Sequence, residues 1–286
     1  MTDNTLSSLM SQALPPGLRL RVLTEMLNRS GAAAEIRALR AAVPREPPVS
    51  EILAAQYPAG YWMHSDLGIS PRYRATAWQL LFLAQLGMGR LPAVERAVEV
   101  LLAQNRDTGG AFRLCKKQIS CGRSPEWATD RHGRSLVLTA ALLWALARLE
   151  FGEDPRLGPT WIWLAQRMDD VALVPAAAVW CLRAAVVWGR DDLVVRLVPH
   201  VDPPALPDAL TFPLALIPDR LAALTALVEA GRTDLISSPA RAWLRDKKTP
   251  QGWPLERVPG PLWWDPGTLG EPNPWVTLRA LRVCCA

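Results

Sequence analysis

One unit, written three times along the chain, limits what it can fold into: an amphipathic helix, a stop made of Gly and an aromatic residue, and a second, more apolar helix. The last copy begins with Ala240-Arg241-Ala242-Trp243-Leu244-Arg245, breaks at Thr249-Pro250-Gln251-Gly252-Trp253, and crosses a Trp- and Pro-rich loop. It re-enters a helix at Pro274-Trp275-Val276-Thr277-Leu278-Arg279-Ala280-Leu281. In an earlier copy, Leu53-Ala54-Ala55-Gln56-Tyr57-Pro58-Ala59-Gly60-Tyr61-Trp62 leads to Tyr73-Arg74-Ala75-Thr76-Ala77-Trp78. In the other, Gln104 through Gly109-Gly110-Ala111-Phe112 leads to Ser135-Leu136-Val137-Leu138. Three copies make a repeat protein. Gly permits the left-handed backbone that a sharp helix end requires. The aromatic residue can then wedge between helices while the Gln amide ties the turn to the next helix.

The rest of the chain also reads as helix. Pro16 opens a stripe of Leu18, Leu20, Val22, Leu23, Met26 and Leu27, and a second helix over Ala32–Val43 is stopped by Pro44, Pro47 and Pro48. Asp154-Pro155 starts an outer helix carrying Trp161 and Trp163, and its partner, Val171–Trp188, is too apolar all round to face water. Asp191–Val198 and Asp219–Gly231 make a degenerate pair interrupted by prolines and lacking the Gly-Trp signature. No run alternates as a strand would, so an all-α fold of five to six helix pairs is expected. Residues 1–48 are expected to complete or flank a repeat body over 49–286.

Half of the residues are hydrophobic and 21% are charged, which suits a globular chain. The apolar runs Ser135–Ala147 and Val171–Leu182 are shorter than the roughly 20 residues of a membrane span, so none is expected. The net charge of +5 could attract anions, but Arg is spread over many helices instead of blocked, which argues against a nucleic-acid partner. Met1-Thr2-Asp3-Asn4 shows no basic start before an apolar run, and five Cys form no disulfide framework. A cytoplasmic location with free thiols is the expectation.

The repeated unit resembles the helix pair of the terpenoid cyclase and prenyltransferase toroids, whose outer helices end in a Gln-Gly-Trp/Phe turn and whose inner helices line a central cavity. The closing Asn273-Pro274-Trp275-Val276-Thr277-Leu278-Arg279-Ala280-Leu281-Arg282-Val283 is similar to the last repeat of bacterial squalene-cyclase-like proteins. The resemblance covers Val49 to the C-terminus. It implies a single α/α toroid and an isoprenoid-like or otherwise apolar substrate. The cyclases protonate their substrate with an Asp-x-Asp-Asp motif, and this chain has none. Asp169-Asp170 and Asp191-Asp192 do not extend to it, nor to a magnesium-binding Asp-Asp-x-x-Asp, and read as helix caps.

Protein prenyltransferases hold zinc with Asp, Cys and His. The long second loop offers Cys115, Cys121, Asp130 and His132, credible ligand types at a spacing that is not a zinc knuckle. Surface thiols and a loop histidine are the alternative. The same loop holds Arg113, Lys116, Lys117, Arg123, Arg131 and Arg134, and the N–H groups of Gly133-Arg134-Ser135 could help grip a phosphate or carboxylate. Solvated loop charge is the bland reading. The first loop gives His64, Asp66, Arg72, Tyr73 and Arg74, and the last gives Trp263, Trp264, Asp265 and Asn273. In a ring these three loops would meet at one mouth. Trp78, Trp144, Trp180, Trp188 and Trp275 fall on inner helices, where they would line an aromatic cavity or pack a core.

The resulting expectation is an enzyme acting on an isoprenoid-like substrate. His64, Asp66, Asp130 and His132 would be its acid-base groups, and Arg72, Arg74, Arg123 and Arg134 its head-group contacts. Tyr73, Trp78, Trp144, Trp180, Trp264 and Trp275 would contact the apolar part, with zinc, if bound, at Cys115 and Cys121. A non-catalytic carrier of an apolar ligand, or a repeat scaffold with a protein partner, are the alternatives. Bulky side chains filling the centre would favour the scaffold.

Overall fold

The computed structural model describes residues 2–31, 33–65, 68–114, 129–167, 170 and 174–286. Among them the regular structure is helical, and β-pairing is confined to isolated bridges. The first helices are α1 (Thr2–Met10), α2 (Pro16–Arg21, running on into a π-helical turn over Val22–Met26) and α3 (Ala34–Ala42). Next come α4 (Val49–Ala54), α5 (Thr76–Gln85), α6 (Pro92–Gln104), α7 (Leu136–Arg148) and α8 (Gly158–Ala165). Then follow α9 (Pro175–Val187), α10 (Asp191–Leu197), α11 (Arg220–Glu229), α12 (Ser238–Asp246) and α13 (Pro274–Cys284). No helix among the described residues is long and apolar enough to cross a membrane.

Odd-numbered helices from α5 onward form an inner row, in which α5, α7, α9, α11 and α13 pack in chain order. Every residue of α5 is buried, as are Leu136–Leu146 of α7, so these helices are apolar on all sides because all sides are covered. The even-numbered helices lie outside, α6 against α5, α8 against α7, α10 against α9 and α12 against α13. In α6 the buried Val94, Ala97, Val98, Leu101 and Leu102 recur at three- and four-residue spacing, one stripe facing inward. Each Val or Leu of the stripe taken from water contributes about 1.5–3 kcal/mol.

The three Gly-aromatic stops share one geometry. The backbone N–H of Trp62 donates to the Thr76 hydroxyl at 3.2 Å, that of Phe112 to Thr139 at 3.0 Å and that of Trp253 to Thr277 at 3.0 Å. Each threonine lies in the first turn of the following inner helix. The indoles of Trp62 and Trp253 reach back to the outer helices they follow, bonding Ile52 O and Leu244 O, both at 2.7 Å. Gly60 and Gly110 have φ of +94° and +96°, and a Cβ would stand 2.7 Å from Arg96 O of α6 and 2.5 Å from Pro159 C of α8. Each of these turns is thus seated on the next outer helix. Gln56 does what its position predicts, donating to Gly60 O at 3.0 Å and to Ala93 O at the start of α6 at 2.9 Å.

The proline-rich stretch before α11 departs from the degenerate connection expected of it. Leu210, Thr211, Phe212, Leu214, Ala215 and Leu216 are buried. Without helix or strand, their backbone groups need other partners. Leu210 N donates to Glu256 Oε2 at 2.8 Å, Thr211 N to Asp219 Oδ2 at 2.6 Å and Phe212 N to Arg257 O at 3.1 Å. Leu214 is held by Gln85 of α5, and Leu216 O accepts from the Trp180 indole of α9 at 3.1 Å. Phe212 stacks on Trp275 of α13 with ring centroids 5.3 Å apart, and Trp264 meets Phe212 and Phe82 edge-on. This segment is core. At the other end of the chain, Gly17 of α2 lies so close to Leu86 that a Cβ would be 1.9 Å from its carbonyl oxygen and 3.6 Å from the Trp275 ring. The N-terminal segment therefore touches both the end of α5 and the start of α13.

Candidate functional sites

The first and last loops come together around Tyr73. This residue has φ of +66°, unusual for a side chain of its size. Gln79 Nε2 donates to its carbonyl at 2.8 Å, and its ring lies 5.0 Å from that of Trp78. Trp78 Nε1 is fixed by Ile69 O at 2.8 Å. Gly260 of the last loop approaches the Tyr73 ring so closely that a Cβ there would be 2.2 Å away. Between them is a pocket of about 130 Å³ lined by Arg72, Tyr73, Trp78, Ala215, Ile217 and Arg257. The sequence singles out Arg72, Tyr73 and Trp78 but not Arg257, whose Nε donates to Thr211 Oγ1 at 3.0 Å. His64 is exposed, Arg74 is half-buried, and neither lines this pocket. Trp264 is buried behind it. Asp66 lies outside the described residues.

The second loop opens elsewhere. Asp130 and Arg134 line a separate pocket of about 260 Å³ with Thr129, Trp163, Arg167 and Asp170, so the described part of the second loop faces a different pocket from the first and last loops. Asp130 is already occupied. Its Oδ1 accepts from His132 N at 2.8 Å and Arg134 N at 3.1 Å, and its Oδ2 from Arg134 Nε at 2.6 Å. Burial opposes its ionisation, but these hydrogen bonds and the Arg134 guanidinium outweigh burial and hold the carboxyl below its usual range. Such an acid is a turn-former, poorly suited to give or take a proton near neutrality. The N–H groups expected to be open are also taken, Gly133 N by Asp130 O, Arg134 N by Asp130 Oδ1 and Ser135 N by Phe112 O.

Zinc fits this loop poorly where it is described. Asp130 is engaged by Arg134, and His132 Nε2 accepts from Arg131 Nε at 3.0 Å. No group of three or more His, Cys, Asp or Glu side chains among the described residues is placed to hold a metal ion. Cys115, Cys121 and Arg123, with Lys116 and Lys117, lie outside the described residues. Asp191 and Asp192 occupy the first turn of α10, where negative charge suits the helix dipole.

Of the inner tryptophans, Trp78 lines the pocket beside Tyr73, whereas Trp144, Trp180 and Trp275 are packed. Trp144 and Trp180 are 2% and 0% exposed, with centroids 5.5 Å apart. The Arg183 guanidinium lies 4.5 Å from the Trp144 ring and 5.3 Å from that of Trp180, and Trp275 is covered by Phe212. Of the two expectations for these tryptophans, core packing describes Trp144, Trp180 and Trp275, beside which lie the Phe212–Leu216 segment and buried charge.

That charge forms a largely buried chain of ion pairs. Arg183 of α9 pairs with Glu229 of α11 at 3.0 Å, Glu229 with Arg282 of α13 at 3.0 Å, and Arg282 with Glu25 of the π turn at 3.0 Å. Glu25 also holds Arg148 of α7 and stands 3.3 Å from Arg21 Nε. Alongside, Arg279 pairs with the fully buried Asp219. Burial alone would raise the Glu25 pKa, yet Arg21, Arg148 and Arg282 together bring it down to about 2. Glu229 is likewise held low, against burial, by Arg183 and Arg282. A cavity of only about 20 Å³ remains among Arg21, Glu25, Gln85, Arg183, Phe212 and Arg282. Sequence reasoning missed this network because its members come from five segments. The available signal was arginine in the later turns of three largely apolar helices, at Arg148, Arg183, Arg279 and Arg282.

Compared with known proteins, the chain matches no protein-family model, no curated protein and no solved structure.

Proposed function

We propose that the inner row closes into an α/α toroid and that the protein is a non-catalytic helical-repeat scaffold, which binds a protein partner through its outer faces. The observation that carries this reading is the occupied interior. Where an apolar substrate would lie, Phe212–Leu216 and the chain of ion pairs through Glu25 and Glu229 take up the space. Closure is supported by Glu25, which reaches both Arg148 on α7 and Arg282 on α13, helices far apart in the row. Gly17, wedged between Leu86 and Trp275, supports it too. Outside, Ile162 of α8 and Val195 of α10 are 62% and 73% exposed, apolar contacts available to a partner.

Native mass spectrometry of the purified protein, beside turnover assays with a panel of prenyl diphosphates, tests this. The expected result is the bare chain mass and no product, with partner capture lost in an Ile162→Asp, Val195→Asp double variant. A retained isoprenoid, or turnover, would overturn it. One observation favours a second reading, an enzyme or carrier for an isoprenoid-like or other apolar ligand: the pocket of about 130 Å³ pairs Arg72 and Arg257 with Trp78 and a Tyr73 held at positive φ. Product formation abolished by Arg257→Gln would establish it.

A further inference from the structure

A larger pocket, of about 630 Å³, opens where α5 and α7 end, and Arg21, Arg40, Arg90, Arg148 and Glu150 line it with Gly87, Met88 and Gly89. It adjoins the buried network, since Arg21 lines both this pocket and the small inner cavity. The charges of that network do not balance. Among the described residues, Arg21, Arg148, Arg183 and Arg282 pair only with Glu25 and Glu229, four cations against two anions, while Arg279 and Asp219 cancel each other.

Two positive charges in excess, with Arg21 11% and Arg148 32% exposed at the pocket, favour an anion beside them. Their mutual repulsion registers on Arg21: burial first, then Arg148, Arg282 and Arg183, lower its pKa to about 9 in spite of Glu25. Arg183 is 5% exposed, and its Nη1 has no hydrogen-bond partner among the protein atoms. Nearer the surface, Arg90 lies over the Phe151 ring at 4.7 Å and pairs with the half-exposed Glu95 at the pocket rim.

We propose that this pocket binds the dianionic phosphate group of a small phosphorylated molecule, with Arg21 and Arg148 at its floor and Arg40 and Arg90 at its rim. Planar guanidinium forks match phosphate oxygens in pairs, and a phosphomonoester carries close to the two negative charges that the network lacks. The volume admits a small organic body beyond the phosphate.

Calorimetric titration of the whole chain with glycerol 3-phosphate at constant ionic strength, with glycerol as control, tests the assignment. Saturable binding of one molecule per chain at pH 7.5 is expected, weakened at least fivefold at pH 5, where the group is largely monoanionic because its second pKa is about 6. Arg148→Gln should weaken binding at least tenfold. Arg90→Gln, at a half-exposed position where folding is not at stake, should weaken it about threefold. No saturable binding by the folded chain would overturn the proposal. Binding unchanged in both variants would overturn it as well, as would binding to phosphatidic acid vesicles without binding to glycerol 3-phosphate.

Discussion

Gln85 and Leu214, far apart in sequence, hold each other as two strands would: the Gln85 side-chain amide donates to the Leu214 carbonyl at 2.9 Å and its oxygen accepts from the Leu214 N–H at 2.7 Å. A single side chain thus satisfies both backbone groups of a buried residue in a segment without regular structure. Gln85→Ala strands both, at about 1–3 kcal/mol for each unsatisfied buried group. Urea denaturation should show a loss of about 2–4 kcal/mol, and hydrogen exchange should show faster exchange concentrated in residues 210–217.

The staple threonines act independently, since each serves a different inner helix. Thr76→Val, Thr139→Val and Thr277→Val each remove the acceptor for one buried N–H while keeping the side-chain volume. Each should cost about 1–2 kcal/mol, and the triple variant should show near-additive loss by chemical denaturation. Strong non-additivity would mean that the turns communicate.

Glu25 should be the acid-sensitive point of the fold. Its pKa falls from 4.5 to about 2 on folding, so its contribution is complete above pH 4.5 and is lost as pH drops toward 2. Glu229 shifts in the same direction and adds to the effect. Thermal denaturation between pH 6 and pH 2 should show the steepest loss of stability below about pH 4.5. Glu25→Gln, which leaves Arg21, Arg148 and Arg282 short of a counterion, should lower stability at pH 7 by about 3–5 kcal/mol and flatten that acid limb.

Thiol chemistry offers an independent check on packing. Cys181 is fully buried in α9 and burial pushes its thiol pKa well up, whereas Cys285 is exposed. Alkylation of the native protein followed by peptide mass analysis should label Cys285 readily and Cys181 only after unfolding. Labelling of native Cys181 would show that α9 opens.

What was legible in the sequence was what local chemistry determines. Gly60 and Gly110 mark their own turns because no other residue fits the positive φ and the close approach to the next helix. The burial of α9 follows from a run apolar on every face. The interior was not legible, because it depends on partners far apart in the chain. Leu214 looks like part of a broken connection until Gln85 is placed beside it. Arg183 and Glu229 look like ordinary charged helix residues until α9 and α11 are side by side. Of the residues that line the pocket beside Tyr73, Arg72 and Tyr73 stand out by their loop position and Trp78 by its place on an inner helix, whereas Arg257 is hidden by sequence distance, and the pairing of Asp130 with Arg134 is not visible from residue types alone.

The seating of Gly60 on α6 and of Gly110 on α8 gives these joints a direction. Each turn belongs to one helix pair but finds its socket on the pair that follows, so neighbouring pairs are clasped together by a backbone-to-backbone fit that leaves no room for a side chain.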